Sequence, residues 1–471
     1  MASPRGANPY YILTILIISR IKPGDECPRS DQAPAGYDEG GFAGVTTLPG
    51  FIADYGLQHA SAALRANISS LGVLGAALGA ILSLVAADRL GRLRTWRVFM
   101  ALWMSGLLVT LLAGGVRGLL LASRVWSGLG AGGLTVVAPL YLSEIAPART
   151  RGMVVSCYMV VLLSFLMLGF FISYAAGKTL PDTRGQYQVV LGVALIPGGV
   201  AFAASFFIRD TPRWLASQGR TDAALVSLAR LRGSIPRDPV IEQEFARMVA
   251  QDREKEQILA GVSAATIVRE IVSVPSYRNR FLLGVAMQTV AQWSGGNGIT
   301  YYIPQIFRFA GVHSQNLSLI TSGAYGAVKL VFTMIFTWGL VDVFGRRRCL
   351  LAGLFLQCIT HTYMAVYAGL WIGSGNKTAS DAAIASVFVY AVGWSVGLCT
   401  VQYLYGTEIL PTRIRSFCYA ANMTIHWFFQ FAVVRAAPPM FEKLHIWGAY
   451  LFWAVAYRWS EWMSYSPDHG L

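Results

Sequence analysis

Long apolar runs alternate with short charged segments along most of the chain. Runs of about 20 residues fall at 67–87, 96–114, 118–142, 153–176 and 187–208. A hydrophilic stretch, 209–280, follows, and apolar runs return at 281–309, 316–341, 349–373, 382–406 and 416–436. At 1.5 Å per residue, about 20 residues in a helix cross a hydrocarbon core of roughly 30 Å, so each run predicts a membrane-spanning helix. Within the hydrophilic stretch, helical patterns recur at 222–232 and 240–258.

The two ends fit this plan less well. Tyr10–Ser19 is apolar but about half the length of a crossing. Arg20–Ala35 then turns polar with Lys22, Asp25, Glu26, Arg29 and Asp31, before apolar character resumes from Gly36 to about Ile52. Each such charge costs about 2.5–3.5 kcal/mol at mid-membrane on insertion scales, so one unbroken first helix is not expected. The last apolar stretch, Ile446–Tyr457, is also short. The expected fold is an all-α polytopic membrane protein with units at 1–208, 209–280 and 281–471. These are six helices, a helical loop unit and six more helices, the first and twelfth incomplete.

Composition agrees with the pattern. Of 471 residues, 55% are hydrophobic and only 13% charged, against roughly 25% charged in soluble domains. The net charge of +14 does not point to nucleic acid, because the basic residues gather in loops on one side. Arg89, Arg92, Arg94 and Arg97, then Arg149 and Arg151, Arg346–Arg348, and Arg413 with Arg415 all fall on that side, as does 209–280. The positive-inside rule makes it the cytosol, with both termini there and the plasma membrane as the expected location. Sequons at Asn67, Asn316 and Asn376 lie on the opposite side. The six cysteines show no metal-type spacing and read as small core residues. No cleavable signal, nucleophile–base pair or phosphate loop is visible, so an enzyme or a cofactor is not expected.

Two short phrases occur twice in the same order. Asp88-Arg-Leu-Gly-Arg92 returns as Asp342-Val-Phe-Gly-Arg346 (342 − 88 = 254). The phrase from Glu144 to Arg151 returns from Glu408 to Arg415 (408 − 144 = 264). Such repetition indicates a duplicated architecture. Acidic and basic residues at cytosolic helix ends pair across neighbouring helices. One network in each half can lock that face shut and break when it opens. Plain positive-inside anchoring is the alternative for a single copy, and the presence of both phrases in both halves argues against it.

These residues resemble the sugar porters of the major facilitator superfamily, and the fungal hexose transporters in particular, from about Gly36 to Tyr450. The matching text is Gly36-Tyr-Asp-Glu-Gly40, Asp88–Arg92, Arg124 with Gly128, Gly130, Gly132 and Gly133, and Pro139–Glu144. Further matches are Asp210-Thr-Pro-Arg-Trp-Leu215, Gln292–Asn297, and Tyr301 with Tyr302. The resemblance implies twelve helices in two six-helix bundles, with a small-molecule sugar bound between them near mid-membrane and moved by alternating access. It places Gln292, Asn297 and Tyr302 at the sugar hydroxyls and Trp427 against the ring. Amides donate and accept, and an aromatic face suits ring C–H groups.

The chain departs from the family pattern at Ala291, Met159 and Leu398, and carries His426 before Trp427. The pocket thus loses hydrogen-bonding groups and gains an imidazole, which leaves a hexose, pentose, polyol or cyclic acid open. Lys329 falls inside the eighth span, where an ionisable residue marks a functional position by default, helix pairing or snorkelling being the alternative. Asp38 stands where proton-coupled members of the family carry Asp. A carboxylate that pairs with Arg124 in one state and is released in another is a proton switch, and a static pair is the other reading. The cytosolic gate expected is Asp88, Arg92, Glu144, Arg151 and Asp210, with Asp342, Arg346, Glu408 and Arg415 in the second half. The expected partners are the sugar, protons and the lipid bilayer. A sensor of the same fold and a defective product of mis-splicing are the alternative readings.

Overall fold

The computed structural model describes residues 33–145, 151–208, 210–259, 264–312, 314–336, 344–399 and 412–465. Within these, the side chains of residues 33–35, 84, 151–157, 255–259, 264, 265, 297, 346, 412, 413, 415, 416, 420 and 457–465 lie outside the description. The described residues form helices joined by turns. Eight helices are long and apolar enough to cross a membrane by length and composition.

The first half contains α1 (Ala33–Val45), α2 (Pro49–Asp54), α3 (Ala62–Leu90), α4 (Arg92–Leu112), α5 (Arg117–Ile145), α6 (Arg151–Thr179) and α7 (Arg184–Ser205). The hydrophilic stretch forms α8 (Pro212–Ser217), α9 (Thr221–Leu231), α10 (Pro239–Leu259) and α11 (Ala264–Ser273). The second half contains α12 (Pro275–Trp293), α13 (Gly296–Phe309), α14 (Gln315–Ile335), α15 (Arg346–Leu370), α16 (Lys377–Gly397), α17 (Thr412–Lys443) and α18 (His445–Tyr465).

Two of these differ from the apolar pattern. The run at 281–309 is not one helix, because Gly295 adopts φ +87°, a left-handed conformation that ends α12 and lets α13 start at a new angle. The last helix continues past the apolar stretch to Tyr465. The described residues begin at Ala33 of α1.

Glycine sets the packing of the first half. On α5, a Cβ at Gly128 would meet the Gly72 carbonyl of α3, and one at Gly132 would meet Ala76. A Cβ at Gly130 would meet the Trp103 backbone of α4. The glycine run thus lets one helix approach two neighbours at backbone distance, the small-residue packing that membrane helices use where no hydrophobic effect drives association. Gly128→Val is expected to force α3 and α5 apart and cost about 1–3 kcal/mol as overpacking, read as a lower melting temperature in detergent.

The halves meet through α3 against α17, α6 against α14, and α1 against α13. The 254-position offset of the first repeated phrase carries α3 onto α14, and the 264-position offset carries α6 onto α17. The α3–α17 and α6–α14 contacts are therefore one contact seen from each half. A pseudo-twofold interface of this kind runs through the centre of the molecule, and the buried charges lie along it.

Candidate functional site

Asp38 on α1 and Arg124 on α5 form a two-pronged ion pair. Arg124 Nη1 donates to Asp38 Oδ1 at 2.6 Å and Nη2 to Oδ2 at 2.9 Å. The guanidinium fork matches the carboxylate in this arrangement, the strongest form of the pair. Arg124 is fully buried, and its Cζ lies 3.7 Å from the centroid of the Phe42 ring. Gly72 leaves room for it, since a Cβ there would stand 2.6 Å from Nη2. Tyr301 of α13, from the second half, interacts electrostatically with both members of the pair.

One face of α17, in the other half, reaches α1 next to this pair, at Glu39. Asn422, His426, Gln430 and Val434 follow at intervals of four and so share one helix face. Gly284, Gln288 and Gln292 form the facing row on α12. His426 Nδ1 lies 2.8 Å from Gln288 Oε1, and Gln292 Nε2 lies 3.1 Å and 3.3 Å from the two imidazole nitrogens. A neutral imidazole that donates from Nδ1 to Gln288 and accepts at Nε2 from Gln292 pairs with the oxygen of one amide and the nitrogen of the other. Further along α17, Gln430 Nε2 donates to Glu39 Oε1 of α1 at 3.3 Å, and the Val434 carbonyl accepts from Tyr302 Oη at 3.0 Å.

Four polar atoms in this region have no hydrogen-bond partner among the described residues: Gln292 Oε1, Asn422 Oδ1 and Nδ2, and Trp427 Nε1, all buried. Leaving such a group unpaired costs about 1–3 kcal/mol. A hydroxylated ligand that supplies both donors and acceptors would satisfy this set. The Trp427 ring packs edge-on to His426, with centroids 5.5 Å apart.

The residues expected at the sugar thus have different positions. Gln292, His426 and Trp427 are together on α12 and α17. The Tyr302 hydroxyl donates to the α17 backbone and so ties α13 to α17. Lys329 on α14 donates from Nζ to Thr300 Oγ1 at 3.3 Å and lies 3.6 Å from the Trp394 ring centroid. The Asn297 side chain is outside the described residues.

The gate residues of the first half converge where α3 turns into α4. Gly91 makes that turn at φ +92°, and a Cβ there would collide with Asp210 and Trp214. Arg92 pairs with Asp88 at 3.2 Å, donates from Nε to Glu144 Oε1 at 3.0 Å and from Nη1 to the Ala87 carbonyl at 3.0 Å. Asp210 accepts the backbone N–H groups of Arg92, Leu93 and Thr211. Burial pushes the Asp210 carboxyl above the ordinary carboxylate range, and the N–H donors of Thr211 and Leu93 with the Arg92 charge pull it back. Thr211 Oγ1 donates to Glu144 Oε2 at 2.6 Å. The side chains of Arg151, Arg346 and Arg415 and the whole of Asp342 and Glu408 lie outside the described residues.

Sequence reasoning did not single out Glu39, Thr211, Gln288, Trp394, Asn422 or Gln430. For Glu39 a signal was present, since an acidic residue inside an apolar stretch is itself a functional marker. The others are uncharged, and only the packing of distant segments gives them partners.

Comparison with known proteins places this geometry in context. The family model described as "Sugar (and other) transporter" matches residues 32–458. The quinate permease of Neurospora africana is 31% identical over 439 residues, covering 89% of this chain and 80% of the relative. That of Emericella nidulans is 29% identical over 429 residues, with 89% and 80% covered. Among solved structures, the E. coli xylose transporter XylE in a partially occluded inward-open conformation superimposes with a TM-score of 0.75 at 18% identity, over 93% of this chain and 97% of that one. The XylE proton:xylose symporter bound to 6-bromo-6-deoxy-D-glucose gives 0.75 at 19% identity, over 97% and 96%. The fold, the repeated halves and the family match over most of the length lead to one assignment: the chain belongs to the sugar transporter family of the major facilitator superfamily.

Proposed function

We propose that the protein is a proton-coupled secondary transporter of a small polyhydroxylated ring compound, a monosaccharide or a cyclic hydroxy acid. The observation that carries this reading is the buried, two-pronged Asp38–Arg124 pair of the first half, which Tyr301 of the second half reaches electrostatically. Both members belong to the first half, so the step that releases Asp38 is a change in the second-half surroundings of the pair as the halves rock. A carboxylate then left alone in an apolar interior takes a proton. When the pair re-forms on the other side, it releases that proton. Coupling to the substrate follows because both lie on the interface that must open and close.

The unpaired Gln292, Asn422 and Trp427 atoms supply the hydrogen bonds for ring hydroxyls, and the Trp427 ring supplies a flat apolar surface for ring C–H groups. The relatives' names extend the substrate range from sugars to a ring acid, quinate. The face bearing α8–α11 is the cytosolic one in this reading, because the basic loops gather there.

The test is uptake into liposomes containing the purified protein. An inward proton gradient is expected to drive accumulation of a radiolabelled ring polyol or acid, and a proton-conducting uncoupler to reduce it to equilibration. Uptake that ignores both the gradient and the uncoupler overturns proton coupling. If neither sugars, polyols nor ring acids are taken up, the transport reading itself fails.

A further inference from the structure

Lys329 is a second buried cation on the same interface, and among the described residues it lacks a contacting anion. It is 1% exposed. Its ammonium carries three donors. Around it are the Thr300 hydroxyl at 3.3 Å, the Trp394 ring at 3.6 Å and the Tyr325 ring at 5.4 Å. Among the described residues, no carboxylate forms an ion pair with it within 4.0 Å. Buried ammonium groups are ordinarily paired, because the loss of hydration is otherwise uncompensated.

The carboxylate that acts on Lys329 from a distance is Glu39. It comes from the opposite half, next to Asp38 on α1, and its Oε1 is held by Gln430 of α17. A pair built only to hold the halves together would be in contact. These two charges attract each other without touching.

We propose that Lys329 anchors a carboxylate on the substrate, and that Glu39 takes up a proton as that carboxylate enters. The substrate class within the reading above is therefore a polyhydroxylated ring acid. This inference rests on that reading and narrows it. The argument is charge balance. In the empty carrier Asp38 balances Arg124 and Glu39 balances Lys329, so the buried charges sum to zero. A carboxylate bound at Lys329 adds one negative charge to a water-poor site. One proton on Glu39 restores neutrality, converting its carboxylate to the acid with no other bond changed, and the proton comes from the water on the open side.

The groups that face Glu39 are consistent with this assignment. They are Asp38 on its own helix, Tyr158 on α6, Tyr301 on α13, and Tyr325 with Lys329 on α14; α17 contributes the uncharged Gln430. Among them, Lys329 is the cation. Once a substrate carboxylate has neutralised it, Glu39 loses the charge that kept it ionised.

The experiment compares quinate with its neutral primary amide on the purified protein, measuring binding by calorimetry and proton uptake in weak buffer. The wild type is expected to bind the acid about tenfold or more tightly than the amide, as removal of a charged hydrogen-bonding partner implies. It is also expected to take up about one more proton with the acid than with the amide, by the charge balance of a buried site. Lys329→Gln removes the preference for the acid over the amide. Glu39→Gln abolishes the extra proton.

Equal affinity of the wild type for acid and amide, failure to bind the acid, or an extra proton retained in Glu39→Gln each overturns the proposal. Should Lys329→Gln not fold, the wild-type comparison and the Glu39→Gln proton count still decide it. A neutral sugar driven by the proton gradient, with no preference for the acid, would overturn this inference and leave the transporter reading standing.

Discussion

Asp38→Asn is expected to abolish proton-driven accumulation of a neutral polyol while preserving exchange of internal for external substrate. One proton moving down a one-unit pH gradient provides about 1.4 kcal/mol, enough for about a tenfold accumulation. Asn cannot carry that proton, so the ratio falls to about one, the value for passive equilibration. A neutral solute is the right probe, because an acid would also engage Lys329 and Glu39. Counterflow needs only binding and rocking, and the amide preserves one acceptor for the Arg124 fork.

A stability cost accompanies the coupling defect. Arg124 is fully buried, and its Nε has no partner. With the carboxylate gone, the guanidinium keeps only the Phe42 face and a neutral oxygen. Breaking a buried pair on one side costs about 3–5 kcal/mol, so the melting temperature in detergent falls as well. Accumulation by Asp38→Asn equal to the wild type would remove Asp38 from the coupling mechanism, whatever the melting temperature.

The parts of this protein that the sequence discloses are those that the bilayer itself imposes. A helix in lipid must be apolar over its whole circumference, so the spans from α3 to α7 and from α14 to α16 stand out as runs. The repeated Asp88 and Glu144 phrases stand out because charge is rare there. Asp38 and Arg124 were legible through the resemblance, each embedded in a recognisable phrase. Glu39 sat in the same phrase and went unread, because its meaning depends on Lys329 and Gln430. Those residues lie in α14 and α17, and no spacing in the chain brings positions 39, 329 and 430 together.

The same holds for the His426 cluster. Its Gln288 partner lies one helical turn before Ala291 on α12, and only packing brings it to His426. The break at Gly295 did have a signal in the chain, since Ser294, Gly295, Gly296, Asn297 and Gly298 interrupt the apolar run there. A glycine's φ is set by the packing around it, not by composition. Tyr302 shows what a matching phrase leaves unsaid. Its position matches the family phrase, yet its hydroxyl is committed to the Val434 carbonyl.

Glu144→Gln is expected to favour the state open toward the face bearing α8–α11. Glu144 is 8% exposed at its side chain and accepts from two directions: Arg92 Nε at 3.0 Å and Thr211 Oγ1 at 2.6 Å. Through Thr211 and Asp210 it fastens α8 and α9 to the ends of α4 and α5. Arg232 adds a bond to the Ile145 carbonyl at 3.0 Å and an ion pair to Glu244 at 2.6 Å, which extends the anchorage to α10. Both α10 and α11 touch α17 of the second half. The loop helices are therefore fixed to one half at Glu144 and lean on the other.

A neutral amide at this position leaves Arg92 without its buried anion. At about 3–5 kcal/mol for a broken buried pair, the closed state loses enough to shift the equilibrium by tenfold or more. The molecule contains its own reporter. Cys418 on α17 is fully buried against Ile271 of α11 and Ile414, so its thiol becomes accessible only when α11 lifts away. Peptide-resolved maleimide labelling should show the Cys418 rate rising about tenfold or more in Glu144→Gln, the fold-change that this energy range supports. Net transport should fall because the closed state is underpopulated. If Cys418 stays as protected as in the wild type while transport is normal, Glu144 is an anchor for the loop helices and has no part in the gate.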